Sequence, residues 1–402
     1  MPPAPARSSS DDSHWRAALT AALSNLMPSM AVATLGISLP EVRRAFSLTE
    51  VEAGSLFAVM MLVAAVTSAA AGRLADRIGR KTVLVSGLTL LALGFGGAGA
   101  SGGRPEFFLS LAATGIGYGF TPPSLYAIMS DLLPRRRGLA ASLVSVAYGV
   151  GGALGAVLSS RLIAARDWRA AFAAVAGIAA ADMLLQLSTV RDRRRSTAAA
   201  RKVPFRDAAA APVLLLAFAE FVGGSVFWSS AAWTPTLLRE AKSLTLEETG
   251  WVMGLLSVAN MLGSFALGAL SDRFGRKPVI VLSALPAAAA AFVVFYWLQS
   301  APAIAAGIFI FGTLKASVPA LVVALAQETA PPGAAGTASG IIMALHYAAG
   351  VLAPLAAARL IAAAGDIVVA MVLAASIPLL LYGALIGAVR EPALDGGVTG
   401  DR

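Results

Sequence analysis

Hydrophobic residues along this chain fall into long runs separated by short polar segments. Twelve of these runs are close to or above the length of about 20 apolar residues that a helix needs to cross a bilayer. They cover residues 17–39, 51–71, 82–101, 106–133, 139–160, 167–189, 211–238, 249–270, 278–298, 301–327, 336–361 and 367–389. Glycine and proline inside the runs are tolerated, because neighbouring helices can satisfy the freed backbone groups. The pattern predicts an all-α membrane protein with twelve transmembrane helices.

The twelve runs form two sets of six on either side of a polar, strongly basic segment. We expect a disordered tail at 1–14, a six-helix bundle at 15–190, a cytoplasmic linker at 191–210, a second six-helix bundle at 211–390 and a tail at 391–402. The predicted fold is thus two pseudo-symmetric six-helix bundles. A basic linker of this kind is attracted to anionic lipid headgroups, and regulation by a partner is the alternative role for it.

Composition supports the membrane assignment and removes several other functions. The chain is 57% hydrophobic and 13% charged, whereas soluble proteins carry about 25% charged residues. It has no cysteine, and its two histidines are His14 and His346, so neither disulfides nor a zinc site is expected. A phosphate-binding Gly-Lys-Ser/Thr loop is also missing from the sequence, and we expect no metal and no cofactor.

The net charge of +9 would suit a nucleic-acid-binding protein, but the basic residues lie in short loops between apolar runs. If the N-terminus is cytoplasmic, 21 of the 31 Lys and Arg residues fall on the cytoplasmic side. Because cytoplasmic loops are enriched in Lys and Arg, both termini are expected in the cytoplasm of a bacterial-type inner (plasma) membrane. We expect contacts with membrane lipids and no binding of nucleic acid.

A charged decapeptide occurs twice, each time between the second and third runs of a half. Residues 72–81 read Gly-Arg-Leu-Ala-Asp-Arg-Ile-Gly-Arg-Lys, and residues 268–277 read Gly-Ala-Leu-Ser-Asp-Arg-Phe-Gly-Arg-Lys, an offset of 196 residues. An acidic residue near the cytoplasmic end of the fourth run is also repeated, as Asp131 and Glu328. A repeat at half the chain length indicates that both halves share one architecture.

The decapeptide has the residues of a conformational latch. Its glycines permit a tight turn and a close backbone approach, and its aspartate can accept N–H groups at a helix N-terminus. Its arginines can pair with the acid of the fourth run, so the cluster would hold the cytoplasmic ends of the halves together. A simple positive-inside anchor is the alternative, although it would not need the paired Asp and Gly. The residues concerned are Gly72, Asp76, Arg77, Gly79, Arg80 and Asp131, and in the second half Gly268, Asp272, Arg273, Gly275, Arg276 and Glu328.

The decapeptide resembles the signature loop of the major facilitator superfamily, the twelve-helix secondary transporters, and the resemblance covers about residues 15–390. It implies alternating access between two rocking bundles, with this loop as the latch. Two positions depart from family patterns. Leu111 stands where many proton-coupled members carry an arginine, which leaves proton coupling open or moves it to other residues. Gly155-Ala156 replaces the Gly-Pro of drug antiporters, which argues against drug efflux.

Four ionisable residues lie inside apolar runs, where a charge costs about 2.5–3.5 kcal/mol. Glu220, Lys315 and His346 lie about 14–16 Å from the cytoplasmic ends of their helices, at a rise of about 1.5 Å per residue. The resemblance implies that these three helices border a central cavity. We expect Lys315 to bind a substrate carboxylate and Glu220 or His346 to carry a coupled proton. A Glu220–Lys315 pair is expected to open on binding, with a static buried pair as the alternative. Asp182 is expected to be structural, because the resemblance implies that its helix is peripheral.

Asn25, Tyr118 and Trp228 are further candidates to line the cavity, since small-molecule sites combine aromatic walls with a few polar groups. Helix packing or a role at the membrane interface is the alternative for each.

The sequence thus predicts a monomeric secondary active transporter for a small polar organic solute, anionic or zwitterionic, with protons as the coupling ion. A proton-driven multidrug antiporter is the main alternative, and a non-transporting membrane receptor or assembly factor is the next. An enzyme is not expected, because no Ser/His/Asp, metal or paired-carboxylate constellation appears in the sequence.

Overall fold

The computed structural model describes residues 9–133, 137–190, 209–317, 320–331 and 334–389, and nearly all of them are helical. The α-helices in these ranges are α1 (Ser9–Leu23), α2 (Leu26–Ala45), α3 (Glu50–Ile78), α4 (Arg80–Ala100), α5 (Arg104–Leu132), α6 (Arg137–Ala165), α7 (Trp168–Thr189), α8 (Ala211–Glu240), α9 (Leu246–Phe274), α10 (Arg276–Phe292), α11 (Ala301–Leu314), α12 (Ala320–Thr329), α13 (Ala335–Ala364) and α14 (Ile367–Ala388). A π-helical turn (Val293–Trp297) extends α10, and a 3₁₀ turn (Lys315–Ser317) follows α11.

These helices account for the twelve predicted spans. By length and composition, 10 of the described segments could cross a membrane, and the first of them, Trp15–Ala45, combines most of α1 with α2. The fourth predicted run is occupied by α5, and the tenth by the two shorter apolar helices α11 and α12. The prediction of an all-helical membrane fold with twelve spans is confirmed.

Two of the predicted runs are broken rather than continuous. The run at 17–39 is interrupted between Leu23 and Leu26, and the run at 301–327 is interrupted after Leu314. In each case the sequence has a proline four residues beyond the start of the break, Pro28 and Pro319. Proline has no N–H for the carbonyl group four residues earlier, and its ring clashes with that carbonyl group.

The chain termini and the linker are only partly described. Helix α1 begins at Ser9, inside the segment at 1–14 that the sequence assigns to a disordered tail. Residues 1–8, most of the predicted linker (191–208) and the end of the chain (390–402) lie outside the described residues. The predicted boundaries of the tails, linker and bundles therefore stay predictions.

The sequence repeat extends to backbone geometry at the same offset. Thr49 accepts a hydrogen bond from the Glu52 N–H at the start of α3, and the Glu52 carboxylate accepts one from the Thr49 N–H. Thr245 and Glu248 form the same capping box at the start of α9. Because a capping box satisfies N–H groups that have no partner within the helix, the second span of each half begins in the same way.

Two glycines with positive φ connect the second and third spans of the halves. Gly79 (φ 100°) separates α3 from α4, and Gly275 (φ 88°) separates α9 from α10. Residues with a β-carbon rarely adopt this conformation, because the β-carbon clashes with the backbone. The spacing that the two decapeptides share thus places a glycine at the turn of each loop.

The two halves are in contact at the ends of α2 and α8 that the predicted orientation assigns to the outer side. A β-carbon at Gly36 of α2 would lie 2.3 Å from the carbonyl oxygen of Ala231 on α8, so the two backbones touch. Farther out on the same helices, Glu41 and Arg239 form an ion pair between the halves. Backbone packing and a charge pair therefore hold the outer ends together in this conformation.

Candidate functional site

A buried acid and an imidazole are in direct contact between two helices of the second half. Glu220 lies on α8 and is 0% exposed, and His346 lies on α13. The Nδ1 atom of His346 is 2.7 Å from the Oε1 atom of Glu220. We refer to these two residues as the acid–imidazole pair. Both groups can hold a proton, so the pair combines two proton-binding side chains inside the membrane-spanning region.

Two indole hydrogen bonds join α8 to α13, the helices that carry this pair. The Trp228 N–H donates to the carbonyl oxygen of His346 at 3.1 Å, and the Trp233 N–H donates to the carbonyl oxygen of Pro354 at 3.0 Å. Both indoles are buried, where an unpaired N–H would be unfavourable. The two helices that carry the acid–imidazole pair are therefore joined by two further hydrogen bonds.

Lys315 lies beside the pair but is not bonded to it. This residue is 5% exposed, and its Nζ atom lies 5.0 Å from the ring centre of Phe227 and 5.6 Å from that of Phe311. The Phe227 ring contacts both Lys315 and His346, and its centre lies 5.9 Å from the imidazole centre. Among the side chains that the structure describes, no carboxylate lies within 4.0 Å of Nζ. The expected Glu220–Lys315 pair is thus not formed in this conformation, and the acid bonds to the imidazole instead.

Tyr118 connects the first half to the same region. Its hydroxyl oxygen on α5 is 3.2 Å from that of Tyr148 on α6. Its ring meets the ring of Tyr347 on α13 edge-on, at 6.4 Å between centres. Tyr118 therefore contacts, across the boundary between the halves, the residue that follows His346 in the chain.

The other two cavity candidates from the sequence are engaged in helix packing. Asn25 lies at the break between α1 and α2, and its Nδ2 donates to the carbonyl oxygen of Val144 on α6 at 2.9 Å. Trp228 is bonded to the His346 carbonyl group as described above. Both side chains position helices around the site.

Asp182 belongs to a different buried cluster, between α7 and α1. Its Oδ1 atom accepts a hydrogen bond from Gln186 Nε2 at 2.7 Å, and the same nitrogen donates to the carbonyl oxygen of Thr20 at 3.0 Å. These contacts are with its own helix and its neighbour in the first half. They agree with the structural role expected for Asp182.

In the first half, the described latch residues pair within that half. Arg80 begins α4, pairs with Asp131 near the end of α5 and donates to a backbone carbonyl group of α5 at 2.8 Å. The Arg77 side chain is exposed. The surroundings of Gly72 and the side chain of Asp76 lie outside the described part of the structure. The ion pair joins α4 to α5, and a latch between the two halves stays a prediction.

The second half repeats this arrangement with one difference. Arg276 pairs with Glu328 of α12 and lies 3.7 Å from Asp272. The guanidinium of Arg273 lies 5.3 Å from the ring centre of the phenylalanine that follows it. A β-carbon at Gly268 would meet no described atom of another segment within 4 Å, so the expected close backbone approach is not present here. The outer ends are packed in this conformation, and Gly268 has open space beside it.

The last residue of each decapeptide has a contact that we did not predict. The Nζ atom of Lys81 donates to the carbonyl oxygen of Leu187 near the end of α7 at 2.7 Å. The Nζ atom of Lys277 donates to the carbonyl oxygen of Val389 just after α14 at 2.8 Å. Carbonyl groups at helix C-termini lack partners within the helix and attract cations. Each lysine therefore ties the third span of its half to the sixth. The recurrence of lysine at the last position of both decapeptides was the sequence signal that could have pointed to these contacts.

Comparison with known proteins agrees with this architecture. The chain matches the family model described as Major Facilitator Superfamily over residues 21–354 and 217–396. It is 26% identical to a gallate transporter of Pseudomonas putida over 63% of this chain and 64% of that protein. It is 28% identical to a 3-(3-hydroxy-phenyl)propionate transporter of Escherichia coli (strain K12), again over 63% and 64%. The chain thus spans slightly less than two thirds of the length of these relatives.

The fold is also similar to a solved structure. A D-xylose-proton symporter superimposes with a TM-score of 0.80, over 94% of this chain and 98% of that chain. The sequence identity is 17%, so the likeness concerns the fold alone.

Proposed function

Because this chain belongs to the major facilitator superfamily, we propose that it is a secondary active transporter that carries a small aromatic carboxylate. The observation that carries the proposal is Lys315, a buried ammonium group that rests on two aromatic rings without a described carboxylate within 4.0 Å. The two relatives are named as transporters of gallate and of a hydroxyphenyl propionate, which are aromatic acids. The family consists of transporters, in agreement with the expectation that the chain is not an enzyme.

The surroundings of Lys315 favour a ligand that combines a negative charge with a flat ring. A buried ammonium group is unfavourable unless an anion or a ring face compensates for lost hydration. The faces of Phe227 and Phe311 offset part of that loss through cation–π attraction. A substrate carboxylate would neutralise the charge, and the same rings offer packing surface to an aromatic substrate.

The acid–imidazole pair is the proposed site of a coupled proton. The distance of 2.7 Å between Glu220 and His346 lets one proton lie between the two groups. The imidazole and Lys315 both contact the ring of Phe227. An anion bound at Lys315 makes the potential at the pair more negative, which favours a proton there. Binding of the anion and of the proton then support each other, as symport requires.

Alternating access is proposed to proceed by rocking of the two halves about this site. In the conformation described, Gly36 and the Glu41–Arg239 pair join the outer ends. We propose that these contacts open when the cytoplasmic ends close, and that the decapeptide residues then contact the opposite half. A location in the inner (plasma) membrane, cytoplasmic termini, lipid contacts and a monomeric state complete the proposal, supported by the distribution of Lys and Arg.

Ligand-induced stabilisation of the purified full-length protein tests this function. We expect benzoate and phenylpropionate to raise the unfolding temperature with increasing concentration, whereas sugars and amino acids do not, because a ligand of the native state stabilises that state. Lys315→Ala should abolish the effect, and Lys315→Arg, which keeps the positive charge, should retain most of it. Stabilisation by lipophilic cations that persists in Lys315→Ala would instead favour the multidrug antiporter and overturn the proposal.

A further inference from the structure

Three of the chain's 6 tyrosines meet at the boundary between the two halves. Tyr118 lies on α5, Tyr148 lies on α6 and Tyr347 lies on α13. Tyr118 contacts Tyr148 through its hydroxyl group and Tyr347 through its ring. We call these three residues the tyrosine cluster. Phenol groups at this depth need hydrogen-bond partners, so a cluster of them is a polar site within apolar surroundings.

The hydroxyl groups of Tyr118 and Tyr148 have hydrogen-bonding capacity beyond the bond between them. Their oxygen atoms are 3.2 Å apart. In such a pair one hydroxyl donates and the other accepts, so a second hydroxyl hydrogen and further lone pairs can serve another group. Tyr118 is buried, so that group would be shielded from bulk water. A ligand hydroxyl group matches this hydrogen-bonding capacity, because it can both donate and accept.

A row of aromatic rings connects this hydroxyl pair with the buried ammonium group. The Tyr118 ring meets Tyr347 at 6.4 Å, and the Tyr347 ring lies 6.2 Å from the His346 ring. The His346 ring lies 5.9 Å from the Phe227 ring, over which Lys315 Nζ lies at 5.0 Å. Contacts between neighbouring rings therefore connect the buried ammonium group to the phenol hydroxyl groups through Phe227, His346 and Tyr347.

We propose that the Tyr118–Tyr148 pair binds a hydroxyl substituent on the aromatic ring of the substrate and selects hydroxylated aromatic carboxylates over unsubstituted ones. This inference rests on the proposed function, which places the carboxylate at Lys315. A ring without the hydroxyl would displace water from the tyrosines and leave their hydrogen-bonding groups unpaired. Rejection of such a ligand is stronger than the loss of one contact suggests, because buried polar groups without partners are costly.

The proposal also gives the substrate a mechanical role. Tyr118 and Tyr148 belong to the first half, and Lys315 belongs to the second. A hydroxylated acid that binds both ends therefore links the two halves through its own ring. An unsubstituted acid binds Lys315 and leaves the first half without a polar contact.

The experiment compares two pairs of ligands that differ by one hydroxyl group. Benzoate is compared with 4-hydroxybenzoate, and 3-phenylpropionate with 3-(3-hydroxyphenyl)propionate, by calorimetric titration of the full-length protein in lipid nanodiscs. The variants are Tyr118→Phe, Tyr148→Phe and Lys315→Ala. Tyr296→Phe is the matched control, because Tyr296 is a half-exposed residue of the π-helical turn outside the tyrosine cluster.

We expect wild type and Tyr296→Phe to bind at least one hydroxylated acid at least about tenfold more tightly than its partner, the effect of leaving one buried polar group unpaired. Tyr118→Phe and Tyr148→Phe should lose most of this preference and bind the unsubstituted acids at least as tightly as wild type does, because phenylalanine has no hydroxyl group to leave unpaired. Retained binding of those acids also shows that the variants are folded. Lys315→Ala should weaken binding of all four ligands.

Two results would overturn the inference, and they are distinguishable from one another. The tyrosines do not select the hydroxyl group if both members of each pair bind wild type equally, or if the preference survives in both tyrosine variants. If Lys315→Ala still weakens binding in that case, the proposed function stands. If none of the four acids binds wild type, the proposed function fails and the inference fails with it.

Discussion

The imidazole of His346 and the carboxylate of Glu220 meet at 2.7 Å, and the second carboxylate oxygen of Glu220 is buried without a hydrogen-bond partner among the described residues. A buried carboxylate oxygen without a partner is an energetically unfavourable arrangement that a proton relieves. The contact joins α8, which carries the Phe227 contact of Lys315, to α13, which carries the Tyr347 contact of Tyr118. Protonation and substrate binding can therefore influence each other over a short row of side chains.

Glu220→Gln is expected to uncouple transport from the proton gradient. Glutamine has nearly the same shape but cannot take up and release a proton, so gradient-driven accumulation in proteoliposomes should fall to the level seen without a gradient. Exchange of labelled for unlabelled substrate, which needs no net proton movement, should continue. Glu240→Gln, at the exposed end of the same helix, is the matched control and should accumulate substrate like wild type. Gradient-driven accumulation in Glu220→Gln at the wild-type level would show that the pair serves packing only.

The ion pair of the first decapeptide should contribute more to stability than that of the second. The Asp131 side chain is 13% exposed, whereas the Glu328 side chain is 52% exposed. Asp131→Asn should lower the free energy of unfolding by about 2 kcal/mol, the usual range for a hydrogen bond to a charged group. Glu328→Gln should lower it by less than about 1 kcal/mol, because water screens the exposed pair. Denaturant unfolding in one detergent measures both, and equal effects would contradict the ranking.

Substitution of either positive-φ glycine should be unfavourable. Gly79→Ala and Gly275→Ala should each destabilise the protein by about 1–3 kcal/mol, the typical cost of forcing a residue with a β-carbon into a backbone region that essentially only glycine adopts. Gly387→Ala provides a control, because that glycine lies within α14 and a β-carbon there meets nothing within 4 Å. It should be neutral or stabilising, since alanine favours helix. Thermal unfolding distinguishes the cases, and unchanged stability in Gly79→Ala would mean that the turn can reorganise.

The ends of α2 and α8 should separate during transport. The chain has no cysteine, so Glu41→Cys and Arg239→Cys together provide the two thiols of the protein. A short bifunctional thiol reagent should join them and stop uptake, because the outer side can then no longer open. Each single variant treated with the same reagent is the control for loss of the ion pair. Uptake that continues in the cross-linked double variant would show that these ends remain together throughout the cycle.

Much of the fold follows from the sequence because the membrane imposes a simple rule. Apolar runs of sufficient length must be helices, and their number and order were predicted correctly. The breaks near Asn25 and Lys315 were not predicted, although a proline lies shortly beyond each. Proline was a weak signal, since Pro354 and Pro378 lie inside α13 and α14, which continue past them. Whether a helix breaks depends on what its neighbours offer to the freed carbonyl groups.

The depth of the candidate site residues along their helices was predictable from the sequence, but the contacts between their side chains were not. Counting residues placed Glu220, Lys315 and His346 at one level, and two of them do meet. The sequence could not show which two, because that depends on the rotation of each helix about its axis. The Phe227 ring, which contacts both Lys315 and His346, is one of many aromatic residues in the apolar runs. The Lys81 and Lys277 contacts were also missed, because their acceptors are backbone carbonyl groups that any residue type supplies.

The indole of Trp228 gives the protein an internal optical reporter. Its N–H is bonded to the backbone of His346, and its ring centre lies 5.6 Å from the centre of the imidazole ring. A charged imidazole at this distance quenches the fluorescence of indole more strongly than a neutral imidazole does. The emission of Trp228 should therefore dim or brighten as the proton arrives and leaves. Because the chain has 6 tryptophans, stopped-flow fluorescence of a variant that keeps Trp228 alone would follow the arrival and loss of the proton.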